Sequence, residues 1–489
     1  MFRVLRSGVG AAAALQRPSG RRGPAAALLA VVLSGSLGAM SPAPALAFEV
    51  AAQAPEGAVR TQPDPFQKLR TLDEERIASI WSSVADGAGC ADADRSHVGH
   101  VQMLADSSDD AGVGGTGSFD LLQPRYRLQA DATVQHGCVF GQLAVQRRSG
   151  VEGEEWTWDG TALAWRIDPH WRVAAGKIAH QWGPTWDGSL ILGTSSQPFL
   201  NAALLAQTGS LADSKLWWWL GELEFTTFFG QLENHRNDFN RPYLMGSRLV
   251  ARPLPWLQLG FSRTAMWGGE GRDTSLKTFL KAVLGRDNTC NDGDCSSQPG
   301  NQLAGYDVRL SLGQWLPGVA LYGQMIGEDS RADNIPLPAK NMWQAGAEWR
   351  RNGAMAFVEW TDSAADYAGV AYNHFIYTDG YRYKGRPLGH WADGDSNLWT
   401  AGGLLPDLLG GQALAVLRYG NLNDANASPT WPRSRLLDAT LQWRTVIDRV
   451  FGLSFALEHF RLSGLAADSG GNGAQSETRG LLQLDWWFR

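Results

Sequence analysis

The C-terminal run Leu481-Leu482-Gln483-Leu484-Asp485-Trp486-Trp487-Phe488 places Leu482, Leu484, Trp486 and Phe488 on one face of an extended chain and Gln483 and Asp485 on the other. The same period of two recurs upstream. Tyr306, Val308, Leu310 and Leu312 alternate with Asp307, Arg309 and Ser311, and Trp343, Ala345, Ala347 and Trp349 with Gln344, Gly346, Glu348 and Arg350. Leu437, Ala439, Leu441 and Trp443 alternate with Asp438, Thr440, Gln442 and Arg444, and Phe451, Leu453, Phe455 and Leu457 with Gly452, Ser454, Ala456 and Glu458. A soluble β-sandwich alternates too, with its apolar side buried. Strands of about 9 to 12 residues, Trp at the ends of apolar faces and a regular rhythm of connections favour lipid on the apolar side instead. The expected fold is therefore all-β: a transmembrane antiparallel β-barrel, one of only two ways a chain can cross a bilayer.

Tight connections are read near 135–137, 168–169, 221–222, 253–255, 314–317, 351–353, 405–411 and 445–448. Long ones fall between them, near 148–154, 181–213, 233–241, 267–302, 329–341, 363–396, 421–434 and 462–477. Asn352-Gly353 is a hairpin signal because both residues tolerate positive φ. Short periplasmic turns and long external loops generate this rhythm. Counting back from a periplasmic C-terminus, 17 candidate strands leave the earliest, near 123–133, running inward. An outward partner is needed, and 98–104 supplies it, giving about 18 strands, with 397–404 the weak member. The lumen-facing charges Asp307, Arg309, Glu348, Arg350, Glu359, Arg418, Asp438, Arg444, Glu458 and Asp485 include both signs and can pair across strands, which suggests a filled or narrow lumen. Arg263 breaks the pattern, falling in phase with Leu257, Leu259 and Phe261; either a bulge resets the register or it lies beyond the bilayer.

Residues 1–47 read as a secretory signal, with Arg3, Arg6, Arg17, Arg21 and Arg22 before an apolar run and Ala45-Leu46-Ala47 as a cleavage site. The Arg21-Arg22 pair permits a twin-arginine reading, but a membrane barrel travels unfolded, which favours the general route. Removing five arginines and no acidic residue takes the net charge from −6 to −11, which argues against nucleic acid as a partner. No later run reaches the roughly 18 apolar residues of a transmembrane helix. Residues 48–94 are expected to form a periplasmic segment, with a short helix at 64–82 capped by Asp64 and begun by Pro65, and 95–489 the barrel. That helix reads equally as a periplasmic plug element or as a lead-in on the barrel rim.

Cys90, Cys138, Cys290 and Cys295 lie in the exported part, where disulfides persist, and three pairings are open. The topology prefers 90–138 at the periplasmic rim and 290–295 within one external loop. The oxygen-rich stretch 287–295 lacks EF-hand spacing and reads as a disulfide-closed turn rather than a calcium site. Zinc-type ligand spacing, a nucleophile elbow and a phosphate-cradling loop are absent from the sequence, so no metal or cofactor is expected and no enzyme activity is inferred.

Several loop words resemble the Wzi-type capsule assembly proteins of Gram-negative outer membranes. These are His180-Gln181-Trp182-Gly183-Pro184 with Asp187-Gly188-Ser189-Leu190-Ile191-Leu192, Gly230-Gln231-Leu232, and Gly246-Ser247-Arg248-Leu249. The likeness continues through Leu259-Gly260-Phe261-Ser262-Arg263, Trp267-Gly268-Gly269-Glu270-Gly271-Arg272, Gly327-Glu328-Asp329, Tyr372-Asn373-His374 and Gly380-Tyr381-Arg382-Tyr383. It runs from about residue 120 to the end; residues 48–120 match the family's N-terminal helical region poorly. The resemblance implies an 18-stranded, lectin-like, non-enzymatic outer-membrane barrel that holds exported capsular polysaccharide at the cell surface.

Sugar rings call for flat aromatic faces, their hydroxyls for fixed hydrogen-bonding groups, and anionic polymers for Arg or Lys. Three external segments offer these: Trp182, Trp186 and Asp187; Trp267, Glu270 and Arg272; and Tyr372, Asn373, His374, Tyr377, Tyr381, Arg382, Tyr383 and Lys384. The competing reading is loop architecture, since loops folded over a barrel mouth need aromatic cores and glycine turns of their own. The expected function is non-covalent binding and anchoring of capsular or exopolysaccharide; a carbohydrate channel and a glycan-modifying enzyme are the alternatives. Outer-membrane lipid and, during biogenesis, the barrel-assembly machinery are the other expected partners of a monomer with extracellular loops and periplasmic termini.

Overall fold

A computed structural model describes residues 98–106, 126–150, 153–209, 211, 213–284, 300–330, 338–364, 369–447, 450–464 and 474–488. The signal, the helix expected at 64–82, Cys90, Cys290, Cys295 and the stretch 287–295 lie outside these residues; Cys138 is disulfide-bonded. The chain runs through β1 (Val98–Asp106), β2 (Tyr126–His136), β3 (Val139–Gly150), β4 (Gly153–Thr157), β5 (Ala162–Arg166), β6 (Trp171–Lys177), β7 (Leu200–Gln207), β8 (Glu222–Gln231) and β9 (Tyr243–Leu254). β10 (Leu257–Trp267) leads to a helix, α1 (Leu276–Val283), then β11 (Gly300–Ser311), β12 (Val319–Ser330), β13 (Pro338–Arg351) and β14 (Ala354–Asp362). A two-strand loop ladder, β15 (Arg382–Tyr383) and β16 (Arg386–Pro387), precedes β17 (Asn397–Leu408), β18 (Gly411–Leu422), β19 (Ser434–Ile447), β20 (Phe451–Ser463) and β21 (Gln475–Phe488).

β21 pairs with β1 from Gly99↔Phe488 to Asp106↔Leu481, so the antiparallel sheet closes on itself. β4 and β5 both lie against β3, at Arg148↔Glu155 and Phe140↔Ala164, and occupy one position around the barrel. The 19 strands of the sheet among the described residues thus form 18 staves, the number the sequence rhythm requires.

The two faces of each strand have opposite surroundings from those of a soluble protein. On β21, Leu482, Leu484, Trp486 and Phe488 are 44–48% exposed, while Gln483 and Asp485 are 5% and 1% exposed. The same holds on β19, where Leu437 and Leu441 face out and Asp438 and Thr440 are buried, and on β18, where Leu417 faces out and Arg418 is buried. A continuous apolar exterior around a polar interior is stable only where the exterior meets hydrocarbon. Among the described residues no helix is long and apolar enough to cross a membrane.

Asn352 and Gly353 take positive φ, 50° and 80°, as the tight turn between β13 and β14 demands. One expected connection is corrected. Residues 181–213 do not form a single long loop, because Leu200–Gln207 is a full stave paired with β6 and β8, and the return to β8 passes through 208–221 rather than a turn at 221–222 alone. The Ala- and Leu-rich composition of β7 lacks the β-branched residues that mark strands, and cross-strand pairing overrides that preference.

Leu441 sits near the middle of β19 on the exposed face. Leu441→Arg is expected to destabilise the barrel by about 2–4 kcal/mol in guanidinium titrations in lipid vesicles, and a loss under about 1 kcal/mol would put that face in water.

Candidate functional site: a loop plug and its outer face

Two connections at the long-loop end, 178–199 and 369–396, fold into the barrel rather than over it. The first makes a narrow excursion in which the Trp182 N–H donates to the Leu192 carbonyl at 2.9 Å. Gln324 on β12 grips it from the wall: its amide donates to the Trp182 carbonyl at 3.0 Å and its oxygen accepts the Leu190 N–H at 2.8 Å. This approach requires glycine at 183, where φ is 132° and a Cβ would stand 2.7 Å from the Gln324 amide nitrogen. Farther along, the Trp186 indole donates to Glu348 at 2.7 Å, and the backbone N–H groups of Trp186 and Asp187 donate to Glu359 at 2.5 and 2.9 Å. Glu348 stands close to the tight Asn352-Gly353 turn, so the tip of this loop reaches far into the lumen. There the Trp186 ring is buried with Tyr322, Met355, Phe357, Leu404, Leu414 and Val416.

Asp187 carries the main electrostatic contact. Arg418 donates to it from Nε and Nη2 at 2.9 and 2.8 Å, Thr400 from its hydroxyl at 2.6 Å, and Arg418 also reaches Asp438 at 2.5 Å. Burial pushes the Asp187 carboxyl up, but the Arg418 guanidinium more than offsets it and holds its pKa below the ordinary carboxylate value. Other interior charges pair in three ways: Arg479 with Glu458 across neighbouring strands, as the sequence suggests, Arg309 with Glu348 two strands away, and Arg350 with Glu348 on the same strand. Asp307 takes its partner from Arg248 on β9.

The second loop packs on the first. The Tyr372 hydroxyl donates to the Leu190 carbonyl at 2.7 Å and accepts the His390 N–H at 3.1 Å, while the Ser195 hydroxyl donates to the carbonyls of Pro387 and Gly389. Arg382 makes a bidentate contact with Asp393, which also accepts from Ser428 and Thr430 of the 423–433 connection. Arg236 then ties loop 232–242 to the assembly, donating to Asp238 and to the carbonyls of Gly380 and Arg382.

Of the residues singled out for sugar contact, Trp182, Trp186, Asp187, Tyr372, Tyr377, Tyr381, Arg382 and Tyr383 are all buried in this plug. Their ring faces meet protein: Trp182 lies against Phe228, Tyr372 against Tyr381, and Tyr383 against Phe199. Trp267 is buried elsewhere, on the outer wall beneath Tyr243 and Phe279. Glu270 and Lys384 remain exposed, and Arg272, Asn373 and His374 are half-buried. The sequence reading passed over Phe375, whose ring is 66% exposed and lies 4.7 Å from that of His374. On the neighbouring loops Asn237 is hydrogen-bonded to Asp379, and Arg272 is stacked on Phe239 and Tyr377 at 5.1 and 5.4 Å. Among the described residues these loops thus form a cross-braced polar surface on which the Phe375 ring stays open. Among the described residues no group of three or more His, Cys, Asp or Glu side chains is arranged to hold a metal ion.

The family described as capsule assembly protein Wzi matches residues 163–471, more than half of the sequence. The chain belongs to this family. The match runs from β5 past β20 and includes both plug loops. A Klebsiella pneumoniae protein described as an uncharacterized 55.8 kDa protein in the cps region is 33% identical over 231 residues, 45% of this chain and 44% of that protein; the chain thus spans less than half the length of this relative. The solved Wzi structure from Escherichia coli is described as an outer-membrane protein involved in group 1 capsule assembly and a carbohydrate-binding β-barrel. It is 24% identical, with a TM-score of 0.66, over 84% of this chain and 88% of that one, and shares the fold.

Two tests follow from the plug's anchors. Asp187→Asn removes the plug carboxylate from Arg418, which keeps Asp438, and should weaken plug docking by about 1.5–3 kcal/mol, read as faster proteolysis within 178–199 while the barrel stays intact. His180 and His390 are both held neutral by burial, with pKa lowered to about 4. Because their folded values lie below the ordinary 6.5, this contribution is complete above pH 6.5 and is lost as pH falls towards 4, on the order of 3 kcal/mol per ring. Hydrogen exchange in 178–199 and 369–396, corrected for intrinsic rates, should quicken between pH 7 and pH 4.5, and His180→Asn with His390→Asn should reduce that quickening.

Proposed function

We propose that this chain is an outer-membrane component of capsule or exopolysaccharide assembly that holds exported polymer non-covalently on the outer face of its plug. The filling of the lumen by two external loops, gripped at Gln324, Glu359 and Arg418, carries this reading. A sugar channel needs an unobstructed path, whereas a surface receptor needs a firm face turned outward.

In this reading the Phe375 ring, backed by His374, takes the apolar face of a sugar. Asn373, Asn237, His235 and Glu270 serve hydroxyls, and Arg241, Arg272 and Lys384 serve any carboxylate on the polymer. Because the loops bearing them are already braced by Arg236 and Arg382, little ordering entropy is lost on binding. A polymer repeats its epitope, so weak contacts per repeat sum to firm retention across many barrels. No covalent step is required. The barrel acts as a monomer, inserted by the barrel-assembly machinery with its loops extracellular and its termini periplasmic.

Deletion of the gene in its host should leave polymer synthesis intact while shifting polysaccharide from the cell to the medium. Complementation with Phe375→Ala should restore the barrel but lower the affinity of the purified protein for the host's polymer by about 2- to 10-fold. Unchanged attachment in the deletion strain rules the function out. A large, sugar-blockable current in planar bilayers would favour the channel instead.

A further inference from the structure

Beyond the external end of β10 the chain turns back along the outside of the barrel. Ser275 caps α1 there, its hydroxyl accepting the Thr278 N–H at 3.3 Å. Phe279 packs on the outward rings of Trp267 and Phe229, with centroids 5.4 and 6.3 Å apart. Arg263, which interrupts the apolar face of β10, lies opposite Ser247 and Ala304 and points outward with its neighbours; the register shift against β9 falls earlier, between Leu257 and Leu259, and pairing is regular from Leu259 through Arg263. Its guanidinium donates to the carbonyls of Ala282 and Val283 and to the Gln302 side chain, so its charge is met by the negative end of α1.

The helix has more apolar surface than docking requires. Thr278 and Ala282 are buried, yet Leu276, Leu280, Val283 and Leu284 stay 40–70% exposed. Lys277 and Lys281 occupy the remaining side. Large aliphatic side chains held off the wall beside two cations describe a helix at the boundary between acyl chains and headgroups.

Below α1 the outer wall is hollow. Ladder pairing aligns Ala265, Met245, Phe229, Ala202, Ala175 and Leu163 in one row across six strands, with small side chains at 265, 202 and 175 where much of the wall carries Leu, Phe or Trp. A groove of about 850 Å³ results, bounded by Phe279 and Val283 at the helix and reaching Trp165 at the other end. That is the size of a small-molecule site. Because barrel strands tilt, such a row slopes across the bilayer, from α1 near the external rim towards Trp165 beside the β5–β6 turn.

We propose that α1 and this groove form a binding site for one anionic lipid of the surrounding leaflet. An acyl chain lies along the groove over Ala175, Ala202 and Ala265, and the anionic headgroup meets Lys277 and Lys281. The groove is continuous with the lipid-facing wall, which fixes the chemistry of the apolar part, and the two lysines fix the sign of the headgroup.

The test is native mass spectrometry of the full chain in non-ionic detergent with equal amounts of dimyristoyl phosphatidylglycerol and dimyristoyl phosphatidylcholine, folding being checked by heat-modifiable gel mobility. The wild-type protein should retain the glycerol lipid over the choline lipid by at least about 5-fold. K277E combined with K281E, at an exposed and a half-buried position of α1, should bring that ratio to about 1, with folding confirmed by the same gel shift. Ala202→Trp should remove retention of both lipids, whereas Ala439→Trp, on the outer face of β19, should leave it unchanged. Equal retention of the two lipids by wild type, or an unchanged ratio in the double lysine variant, overturns the headgroup assignment. Undiminished retention in folded Ala202→Trp overturns the groove.

Discussion

In hydrocarbon a backbone N–H or C=O without a partner costs several kcal/mol, and this penalty shapes everything else in the molecule. The pairing of β21 with β1 meets it by leaving no sheet edge. Closure at 18 staves has a consequence of its own. A barrel this wide cannot be filled by side chains from its wall, which suffices only near eight strands. The interior must hold water or other parts of the chain, and here the two longest inward-folding connections occupy it.

The wall is prepared for those loops. Arg418 has Asp438 directly opposite it on β19 and still directs two donors at Asp187 of the plug. Glu359 accepts the N–H groups of Trp186 and Asp187 from the plug. A buried charge with its partner removed costs more than the intact pair contributes, so such contacts select one docked arrangement more than they add stability. The same logic applies outside the barrel, where Arg263 is tolerated on an apolar wall because α1 brings carbonyls to it.

Much of the fold was legible because a period of two is an unambiguous signal when one face meets lipid. Leu441 against Asp438 and Thr440, or Leu484 against Gln483 and Asp485, leaves one register only. β7 escapes the period-of-two reading because Leu200, Ala202, Leu204 and Ala206 face Asn201, Ala203, Leu205 and Gln207, so Ala and Leu stand on both sides and the contrast is weak. α1 was hidden inside a long loop, although Ser275 before Leu276, Phe279, Leu280 and Val283 is a capped apolar spacing. The aromatic site was harder for a different reason. Tyr372, Tyr377 and Tyr381 are the residue types wanted both by a sugar and by a loop core, and only three-dimensional neighbours distinguish these uses. Gly389 marks the second, since a Cβ there would stand 2.4 Å from the Tyr372 hydroxyl. Phe375, in the same run, has the His374 ring beside it and stays largely exposed.

If the outer face of the plug holds polymer as proposed, burying those rings serves recognition rather than competing with it. A polymer that moves under shear loads its receptor laterally, and loops held only at their ends would yield. Here loop 232–242 is bolted to loop 369–396 through Arg236, that loop to 178–199 through Tyr372 and Ser195, and 178–199 to the barrel wall through Gln324 and Arg418. Force applied at Phe375 therefore passes through buried hydrogen bonds into the closed sheet. A rigid face also binds with less entropy loss per repeat, and that advantage multiplies along a repeating chain. The residues that look like the binding site in the sequence are, on this argument, its foundation.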